Sequence, residues 1–298
     1  MTKDNKILNM DGLQFLSDVP DNSVNLILVD PPYITSRDSG MDKWVDHVAK
    51  QDASGSVNIK TEEQWESYKT PEEWDSWMQA GKIPENKREK KFKELKANYL
   101  KYGSIYGKKF AVKTNYGAWD SEFTMEKLGM FVKHFHRVLK DGGTCIIFFD
   151  LWKISYLKEM LESEKFKQIR FIEWIKTNPQ PVNSSVNYLT NCREIALLGI
   201  KKSKPTFNSK YDKGIYEFPI YSGKDRFHPT QKSLALFEEL VKKHCNEGDI
   251  VLDCFLGSGT TALAAMNTNR EFIGCELQKE YFDKTIQRIA TYSEKENN

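Results

Sequence analysis

The sequence predicts an α/β fold, in which a doubly wound and mainly parallel sheet carries helices on both faces. Short apolar runs alternate with segments of helical periodicity along most of the 298 residues. Two of these runs, Val24–Val29 and Asp249–Leu252, end directly before polar motifs. Open α/β sheets bind their ligands at the carboxyl ends of their strands, so both motifs are expected at a functional edge.

Seven strands are expected from the apolar runs. They are Lys6–Asn9, Val24–Val29, Thr144–Phe149, Gln168–Lys176, Glu194–Ile200, Asp249–Leu252 and Glu271–Cys275. Helical spacing predicts helices near Leu13–Leu16, over 125–139 and 153–163, from Thr261 to Asn267 and after Lys279. The glycine pair Gly142 and Gly143 is typical of the end of a helix.

The motif Asp30-Pro31-Pro32-Tyr33 follows the strand Val24–Val29. An exocyclic base amine is a poor nucleophile, because its lone pair is delocalised into the ring. Asp30 and the carbonyl of Pro31 can accept the two N–H bonds of such an amine and draw the lone pair out of conjugation. Tyr33 offers a flat face for an extruded base. The motif therefore predicts a catalytic site, the alternative being a plain proline turn after a strand.

A glycine-rich turn joins the strand Asp249–Leu252 to the next helix, and such a turn lets a cofactor approach the backbone closely. Its residues are Asp253, Phe255, Gly257, Ser258, Gly259 and Thr260. Glu276 ends the following strand, about twenty residues later, where a carboxylate commonly grips ribose hydroxyls. The pattern is neither Gly-x-Gly-x-x-Gly nor a phosphate-binding loop, which argues against nicotinamide cofactors and ATP.

With these motifs the chain resembles the DNA amino-methyltransferases, which transfer a methyl group from S-adenosylmethionine (SAM) to adenine N6 or cytosine N4. The resemblance rests on 30–33, 174–181, His228-Pro229-Thr230-Gln231-Lys232 and 253–260. It covers residues 5–37 and about 116–291. Because the catalytic motif precedes the cofactor motif, the order is that of the family's β group. The resemblance implies a Rossmann-like, SAM-dependent methyltransferase fold.

The resemblance also implies roles for single residues. Phe255 and Gly257 would contact the methionine part of SAM, and Glu276 its ribose. Thr230 and Lys232 would lie near the cofactor carboxylate, and Asp11 against the SAM adenine. Asn178 and Pro179 would line the pocket for the flipped base. The cofactor residues expected in full are Asp11, Asp30, Thr230, Lys232, Asp253, Phe255, Gly257, Ser258, Gly259, Thr260 and Glu276.

The segment 38–116 resembles the family least and is expected to be a mostly helical insertion that recognises the target. Residues 82–113 hold eleven Lys/Arg against three Glu, with aromatic residues between them. Lys90, Lys91 and Lys93 are therefore candidates for phosphate contacts, as is Arg37 behind the catalytic motif. The alternative is a solvated helical insertion whose charges serve only solubility.

The motifs divide the chain into five parts. Residues 1–37 and 117–202 form the catalytic half, which the insertion 38–116 interrupts. A second recognition loop is expected at 203–227, and the cofactor-binding half at 228–298.

Composition is compatible with this assignment but does not lead to it. The net charge is +2, so any DNA-binding face must arise from local asymmetry. The five cysteines lack metal-binding spacing and are expected to be reduced, as in cytoplasm. His134 and His136 point to different faces of a predicted helix, and no metal is expected. No apolar run is long enough to span a membrane, and no signal peptide is expected.

These observations predict a cytoplasmic, SAM-dependent DNA adenine-N6 methyltransferase that flips its target base. Cytosine-N4 transfer is the nearest alternative, since members with that activity more often have Ser at the position of Asp30. Further alternatives are an RNA or other amine methyltransferase and a non-catalytic DNA-binding subunit. The hypotheses for partners are DNA, a cognate restriction endonuclease and a second copy of the chain as a homodimer.

Overall fold

The computed structural model describes residues 6–34, 60–102, 105, 123–179, 190–202, 204–223, 226–228 and 230–296. The chain divides into two compact units. One comprises Met1–Thr35 with Tyr116–Asn298 and is called the catalytic unit below. The other, Ser36–Asn115, is called the inserted unit.

The catalytic unit is built on an eight-stranded sheet. In chain order the strands are β1 (Lys6–Asn9), β2 (Val24–Val29), β3 (Leu139–Phe149), β4 (Phe166–Lys176), β5 (Arg193–Lys201), β6 (Ile215–Phe218), β7 (Ile250–Asp253) and β8 (Glu271–Glu276). Their order in space is β1-β8-β7-β2-β3-β5-β4-β6. The pairs β3–β5 and β4–β5 are antiparallel, and the other pairs are parallel. The predicted α/β class is therefore confirmed.

The strand count was wrong by one, because β6 lies within 203–227, where only a loop was expected. This strand has four residues and an exposed apolar residue, Ile215, so it lacks the buried apolar run that identifies the other strands. It forms through parallel pairing with the end of β4, in which Trp174 lies opposite Tyr216. A second difference is that β3 starts at Leu139, five residues earlier than expected, and passes through Gly142 at a φ of 81°.

Helices cover both faces of the sheet. In the catalytic unit α1 is Gly12–Asp18, α5 is Met125–Val138, α6 is Ile154–Ser163, α7 is Leu234–His244, α8 is Thr260–Asn267 and α9 is Lys279–Glu296. A single turn of 3-10 helix, Leu151–Lys153, precedes α6. Buried residues of α1, α5 and α6 form the core on one face, and those of α7, α8 and α9 the core on the other. Along β2, Leu26 and Leu28 face the second core while Ile27 and Val29 face the first, as the two-residue period of a strand requires.

The inserted unit has its own small core. Its helices are α2 (Glu62–Glu66), α3 (Pro71–Ala80) and α4 (Glu85–Tyr102). Thr61 and Thr70 begin α2 and α3 with reciprocal capping boxes, which satisfy the first backbone N–H groups. Trp65, Trp74 and Tyr99 pack together, and the ring centroids of the two tryptophans are 4.9 Å apart. In the described parts of the chain, no helix combines the length and apolar character needed to cross a membrane.

Strand direction decides which residues meet at the functional edge. The parallel strands β1, β2, β7 and β8 end there, so Asp11, Asp30, Asp253 and Glu276 are brought to one side of the sheet. Because β5 runs antiparallel to β3, its beginning, with Glu194, lies at the same edge.

Candidate active site

A cavity of about 480 Å³ opens at this edge of the catalytic unit. Its size is that of a typical small-molecule site. Its walls include the residues after β2 and the glycine-rich turn after β7. Of the predicted catalytic and cofactor residues, those that line the cavity are Asp11, Asp30, Pro31, Pro32, Tyr33, Thr230, Lys232, Asp253, Phe255, Gly257, Ser258, Thr260 and Glu276.

Asp30 has one engaged and one free carboxylate oxygen. Its Oδ2 lies 2.9 Å from the Nζ of Lys232. Its Oδ1 is buried and accepts no hydrogen bond from any residue that the structure describes. Burial raises the pKa of Asp30 to about 6, with Lys232 opposing and Glu194 adding to the rise. The carboxylate is therefore largely ionised at neutral pH, and one of its oxygens has no hydrogen-bond partner among the described residues.

Lys232 joins Asp30 to a second acid, Glu194. Its Nζ contacts the carboxylate of Glu194 as well as that of Asp30, and its side chain is only 7% exposed. The other oxygen of Glu194 lies 2.7 Å from the Nζ of Lys176. Burial alone would raise the pKa of Glu194, but Lys232 and Lys176 outweigh it and lower the pKa to about 2. The four side chains form a continuous row of alternating charge.

Tyr33 is fixed at both ends of its side chain. Its ring meets that of Phe149 edge to face at 6.1 Å, and its hydroxyl accepts a hydrogen bond from Lys232 at 3.2 Å. The hydroxyl also lies 3.4 Å from the Oε2 of Glu194. Ile34, the next residue, has a φ of 49°, which is uncommon for a β-branched side chain. Such strain is typical of backbone held in place at a functional site.

The glycine-rich turn depends on two positive φ angles. Gly257 has a φ of 52° and Gly259 a φ of 78°, and both values lie in the region that favours glycine. A Cβ on Gly259 would lie 2.6 Å from the Cγ2 of Thr285. From α9, Thr285 donates to the carbonyl of Gly257 at 2.6 Å, and Arg288 donates to that of Ser258 at 2.7 Å. The turn is therefore held from behind by the last helix.

Glu276 accepts backbone hydrogen bonds with both carboxylate oxygens. Oε2 accepts from the N–H of Gly257 and Oε1 from that of Gln278, each at 2.8 Å. Burial raises the pKa of this carboxyl, while the backbone N–H groups work against the rise. A carboxylate has about four acceptor positions, so some acceptor capacity remains for a hydroxyl group of a ligand.

Asp253 holds the start of the turn. Its Oδ1 accepts from the N–H of Phe255 at 2.8 Å, and its Oδ2 accepts from the hydroxyl of Thr261 at 2.6 Å. Burial raises the pKa of Asp253 to about 7, and the charges of Asp30 and Glu276 add to the rise. Both oxygens are engaged within the protein, so Asp253 supports the turn from inside.

Aromatic and apolar groups close the cofactor side of the cavity. Phe255 packs against Phe131 at 4.6 Å and meets Phe123 edge to face at 5.5 Å. Asp11 caps α1 by accepting from the N–H of Leu13 at 2.8 Å, and its other oxygen lies 3.5 Å from the Nζ of Lys127.

His228 lies buried between Thr230 and the glycine-rich turn. Its Nδ1 is 3.2 Å from the hydroxyl of Thr230, and its ring meets that of Tyr281 at 4.5 Å. A Cβ on Gly257 would lie 3.4 Å from the His228 ring. Burial lowers the pKa of His228 to about 4, with Lys232 and Arg226 contributing, so the ring is neutral at physiological pH.

Comparison with known proteins decides the family. The family model described as DNA methylase matches residues 92–288, which is more than half of the chain. The chain belongs to the DNA methylase family. It is 33% identical over 202 residues to the type II methyltransferase M2.DpnII of Streptococcus pneumoniae, covering 61% of this chain and 75% of that protein. M.HpaI of Haemophilus parainfluenzae is 32% identical over 201 residues, covering 59% of this chain and 63% of that protein.

Solved structures share the fold of this DNA methylase. The crystal structure of an M1.HpyAVI–SAM complex matches with a TM-score of 0.56 and 26% identity, covering 95% of this chain and 98% of the other. The PvuII DNA methyltransferase, described as cytosine-N4-specific, matches with a TM-score of 0.61. At 15% identity over 97% of this chain and 87% of the other, that likeness concerns the fold alone.

The predicted base-pocket residues of the DNA methylase are only partly in view. Arg37 lies outside the described residues, as do Gln180, Pro181 and Pro229 of the quoted motifs. Asn178 exchanges hydrogen bonds with the backbone of Ile220, accepting at 2.7 Å and donating at 3.3 Å. Pro179, the next residue, is half-buried.

The three predicted phosphate-binding lysines lie on α4 of the inserted unit. Lys91 pairs with Glu94 at 2.9 Å and Lys93 with Glu89 at 2.7 Å. Lys90 is exposed and forms no ion pair with another described residue. The neighbouring Phe92 and Tyr99 pack toward the core of the unit, so they are not free to stack on bases.

Glu194 and Lys176 were not identified from the sequence. Both lie in predicted strands. The antiparallel direction of β5 brings Glu194 to the edge where Asp30 and Lys232 lie, and Lys176 pairs with Glu194 there. The signal available for Glu194 was a charged residue at the start of an otherwise apolar strand.

His134 and His136 both lie on α5 and have different neighbours. His134 contacts Arg137 of the same helix, and His136 packs against Phe166 of β4. In the described ranges no group of three His, Cys, Asp or Glu is placed to hold a metal ion.

Proposed function

We propose that this DNA methyltransferase uses SAM to methylate the N6 amine of an adenine that has rotated out of the helix. The observation that carries the proposal is the buried, unpartnered Oδ1 of Asp30, a residue that lines the same cavity as the glycine-rich turn. An unsatisfied buried acceptor costs free energy, and a ligand that donates to it recovers that cost.

The cofactor side of the cavity suits SAM. Gly257 leaves the backbone open to close approach, and Phe255 offers an apolar face. Glu276 retains acceptor capacity for a ribose hydroxyl. SAM supplies a methyl group already activated on a sulfonium. Lys232 is engaged by two acids, so we do not assign it to the cofactor carboxylate, and Thr230 keeps that proposed role.

The acceptor side explains how a weak nucleophile is activated. One amine hydrogen would bind the Oδ1 of Asp30 and the other the carbonyl of Pro31, which turns the nitrogen lone pair toward the methyl donor. Transfer leaves a positive charge on nitrogen, and an ionised Asp30 stabilises this charge and can accept the released proton. Asn178 and Pro179 are proposed to line the base pocket.

Adenine is favoured over cytosine because position 30 holds Asp, whereas the cytosine-N4 enzymes that the chain resembles more often have Ser there. The test is to incubate the protein with labelled SAM and DNAs of varied sequence, then digest the DNA and separate the nucleosides by mass spectrometry. N6-methyladenine is expected. N4-methylcytosine alone would overturn the base assignment and keep the chemistry, and no methylated base in any DNA would overturn both.

We expect Tyr33→Ala to weaken productive DNA binding, because a base in the cavity loses roughly 1–3 kcal/mol of stacking. Steady-state kinetics with DNA as the varied substrate would report the change as a raised KM. Tyr33→Phe is the matched control, since it keeps the ring and removes only the hydroxyl that contacts Lys232 and Glu194. Equal losses in both variants would assign the role to the hydroxyl and contradict the stacking proposal.

We also propose that Lys90, Lys91 and Lys93 contact DNA phosphates. Replacing all three by Gln should weaken DNA binding and flatten its salt dependence by roughly 0.9 in log–log slope for each lost contact. Titration of labelled duplex at several salt concentrations measures both quantities.

The control for that experiment is a second triple variant, Lys158→Gln with Lys279→Gln and Lys284→Gln. These lysines pair with acids four residues away on their own helices, as Lys93 does on α4, but they lie in the catalytic unit. Unchanged affinity and slope in the α4 variant, or equal changes in both, would contradict the proposal. Arg37 is proposed as a further phosphate contact on the basis of its position behind the catalytic motif.

Three hypotheses about context accompany the proposed activity. They are a cognate restriction endonuclease, a homodimer and a cytoplasmic location. The type II relatives support the first hypothesis. The free cysteines, four of them buried, support the last.

A further inference from the structure

The row of charges behind the catalytic motif has a feature that amine activation alone does not require. Lys232 alone would be enough to balance the buried charge of Asp30. Here Lys232 is shared with Glu194, and Glu194 is shared in turn with Lys176. Lys232 also lies over the rings of Tyr33 and Phe148, at 5.3 and 5.4 Å from their centroids. The ammonium is thus enclosed and cannot turn away from either acid.

We infer that Lys232 and Glu194 are positioning residues for Asp30. Lys232 holds Oδ2 and thereby presents Oδ1 to the target amine. Glu194 competes for the same ammonium and so reduces the extent to which Lys232 neutralises the negative charge of Asp30. This inference rests on the proposed function of Asp30.

The electrostatic reason lies in the sharing of one cation. A carboxylate paired one to one with a buried ammonium is a poor acceptor, because much of its negative charge is neutralised. Dividing the ammonium between two acids leaves more charge on Asp30. Lys176 then balances Glu194, so the row of two acids and two lysines has no net charge to bury.

The other ionisable groups around Asp30 come from several elements. Glu194 faces it from β5, Asp253 from β7, Tyr33 from its own loop and Lys232 from the segment before α7. Burial and the charges of Asp30 and Glu194 raise the pKa of Tyr33, so its hydroxyl stays neutral. Behind these groups lie Lys176 and the neutral ring of His228.

The inference predicts opposite effects of two substitutions on the acid limb of kcat/KM for DNA, measured at saturating SAM. The wild-type limb is expected near pH 6, where Asp30 becomes protonated and loses its acceptor. Lys232→Met should move the limb to higher pH by roughly one to three pH units. Glu194→Gln should move it to lower pH, because Lys232 then acts on Asp30 alone. Lys232→Arg should restore most of the wild-type profile.

A direct titration separates this inference from the proposed activity. The measurement is the pH dependence of the carboxyl 13C resonance of Asp30 in protein labelled with 13C-aspartate, and the Asp30→Asn variant assigns that resonance. The resonance should titrate at higher pH in Lys232→Met and at lower pH in Glu194→Gln, whether or not DNA is methylated. Asp253 supports the cofactor-binding turn, so its protonation should change SAM affinity. Measuring SAM affinity by calorimetry over the same pH range therefore distinguishes titration of Asp253 from that of Asp30. If Lys232→Met does not fold, the isosteric Glu194→Gln decides alone.

The experiments distinguish failure of the proposed function from failure of the positioning roles. No methylated DNA from wild type, with the carbon resonances shifting in opposite directions, overturns the proposed function and keeps the linkage among the three residues. Shifts that are absent, or that have the same sign in both variants, overturn the positioning roles even if wild type methylates DNA.

Discussion

Replacing Asp30 by Asn is expected to slow methyl transfer by roughly a hundredfold to a thousandfold while leaving SAM binding almost unchanged. The amide keeps the size of the side chain and can still accept a hydrogen bond, but it carries no charge. It therefore stabilises the positive nitrogen poorly and cannot take up the released proton. Loss of one oriented polar group from an active site commonly costs a hundredfold to about a thousandfold in rate. Transfer is measured with labelled SAM, and cofactor binding by calorimetry.

Asp150→Asn is the matched control for this experiment. Asp150 follows β3, the strand next to β2, and caps the turn Leu151–Lys153 by accepting from the N–H of Trp152 at 2.8 Å. It does not line the cavity. The control should keep near-normal activity. Equal loss of SAM affinity in Asp30→Asn and Glu276→Ala would contradict the division of labour proposed for the two acids.

Replacing Glu276 by Ala is expected to weaken SAM binding first. The variant loses an acceptor for the ribose and also the carboxylate that holds the N–H of Gly257. Hydrogen bonds to charged groups contribute about 1.5–3 kcal/mol, so the dissociation constant should rise roughly ten- to a hundredfold. At saturating SAM, kcat should fall much less than in Asp30→Asn.

Glu271→Ala, at the opposite end of β8, controls for the general effect of removing an acid from this strand. Glu276→Gln separates two contributions, because its amide oxygen can still accept from one backbone N–H but carries no charge. An unchanged SAM affinity in Glu276→Ala would sink the assignment of this residue to the cofactor.

The central strands and their motifs could be predicted because each has a local signal. Val24–Val29 is a continuous apolar run, so β2 and the position of Asp30 after it follow directly. The helix α5 repeats buried residues such as Leu128, Phe131 and Phe135 with helical spacing. Glycine at 257 and 259 indicated a turn, and both positions have the positive φ that favours glycine.

The parts that could not be predicted depend on partners far away in the chain. The strand β6 exists through pairing with β4, and nothing in Ile215–Phe218 alone identifies it. Glu194 lies at the same edge as Asp30 and shares Lys232 with it because β5 is antiparallel, a direction that residues 193–201 do not encode locally. By contrast, the pairing of Lys93 with Glu89 follows from a spacing of four residues and was readable from the sequence.

The direct pairing of β2 with β7 has a consequence for how the two substrates are aligned. Leu26 lies opposite Val251 and Ile27 opposite Leu252, so Asp30 and the glycine-rich turn emerge from neighbouring strands of one ladder. Strands are about 4.8 Å apart, and a slip of one residue would reverse every side chain. The spacing between Asp30 and the glycine-rich turn is thus set when the sheet forms, before either substrate binds. Activity should therefore be lost when this ladder loosens on warming.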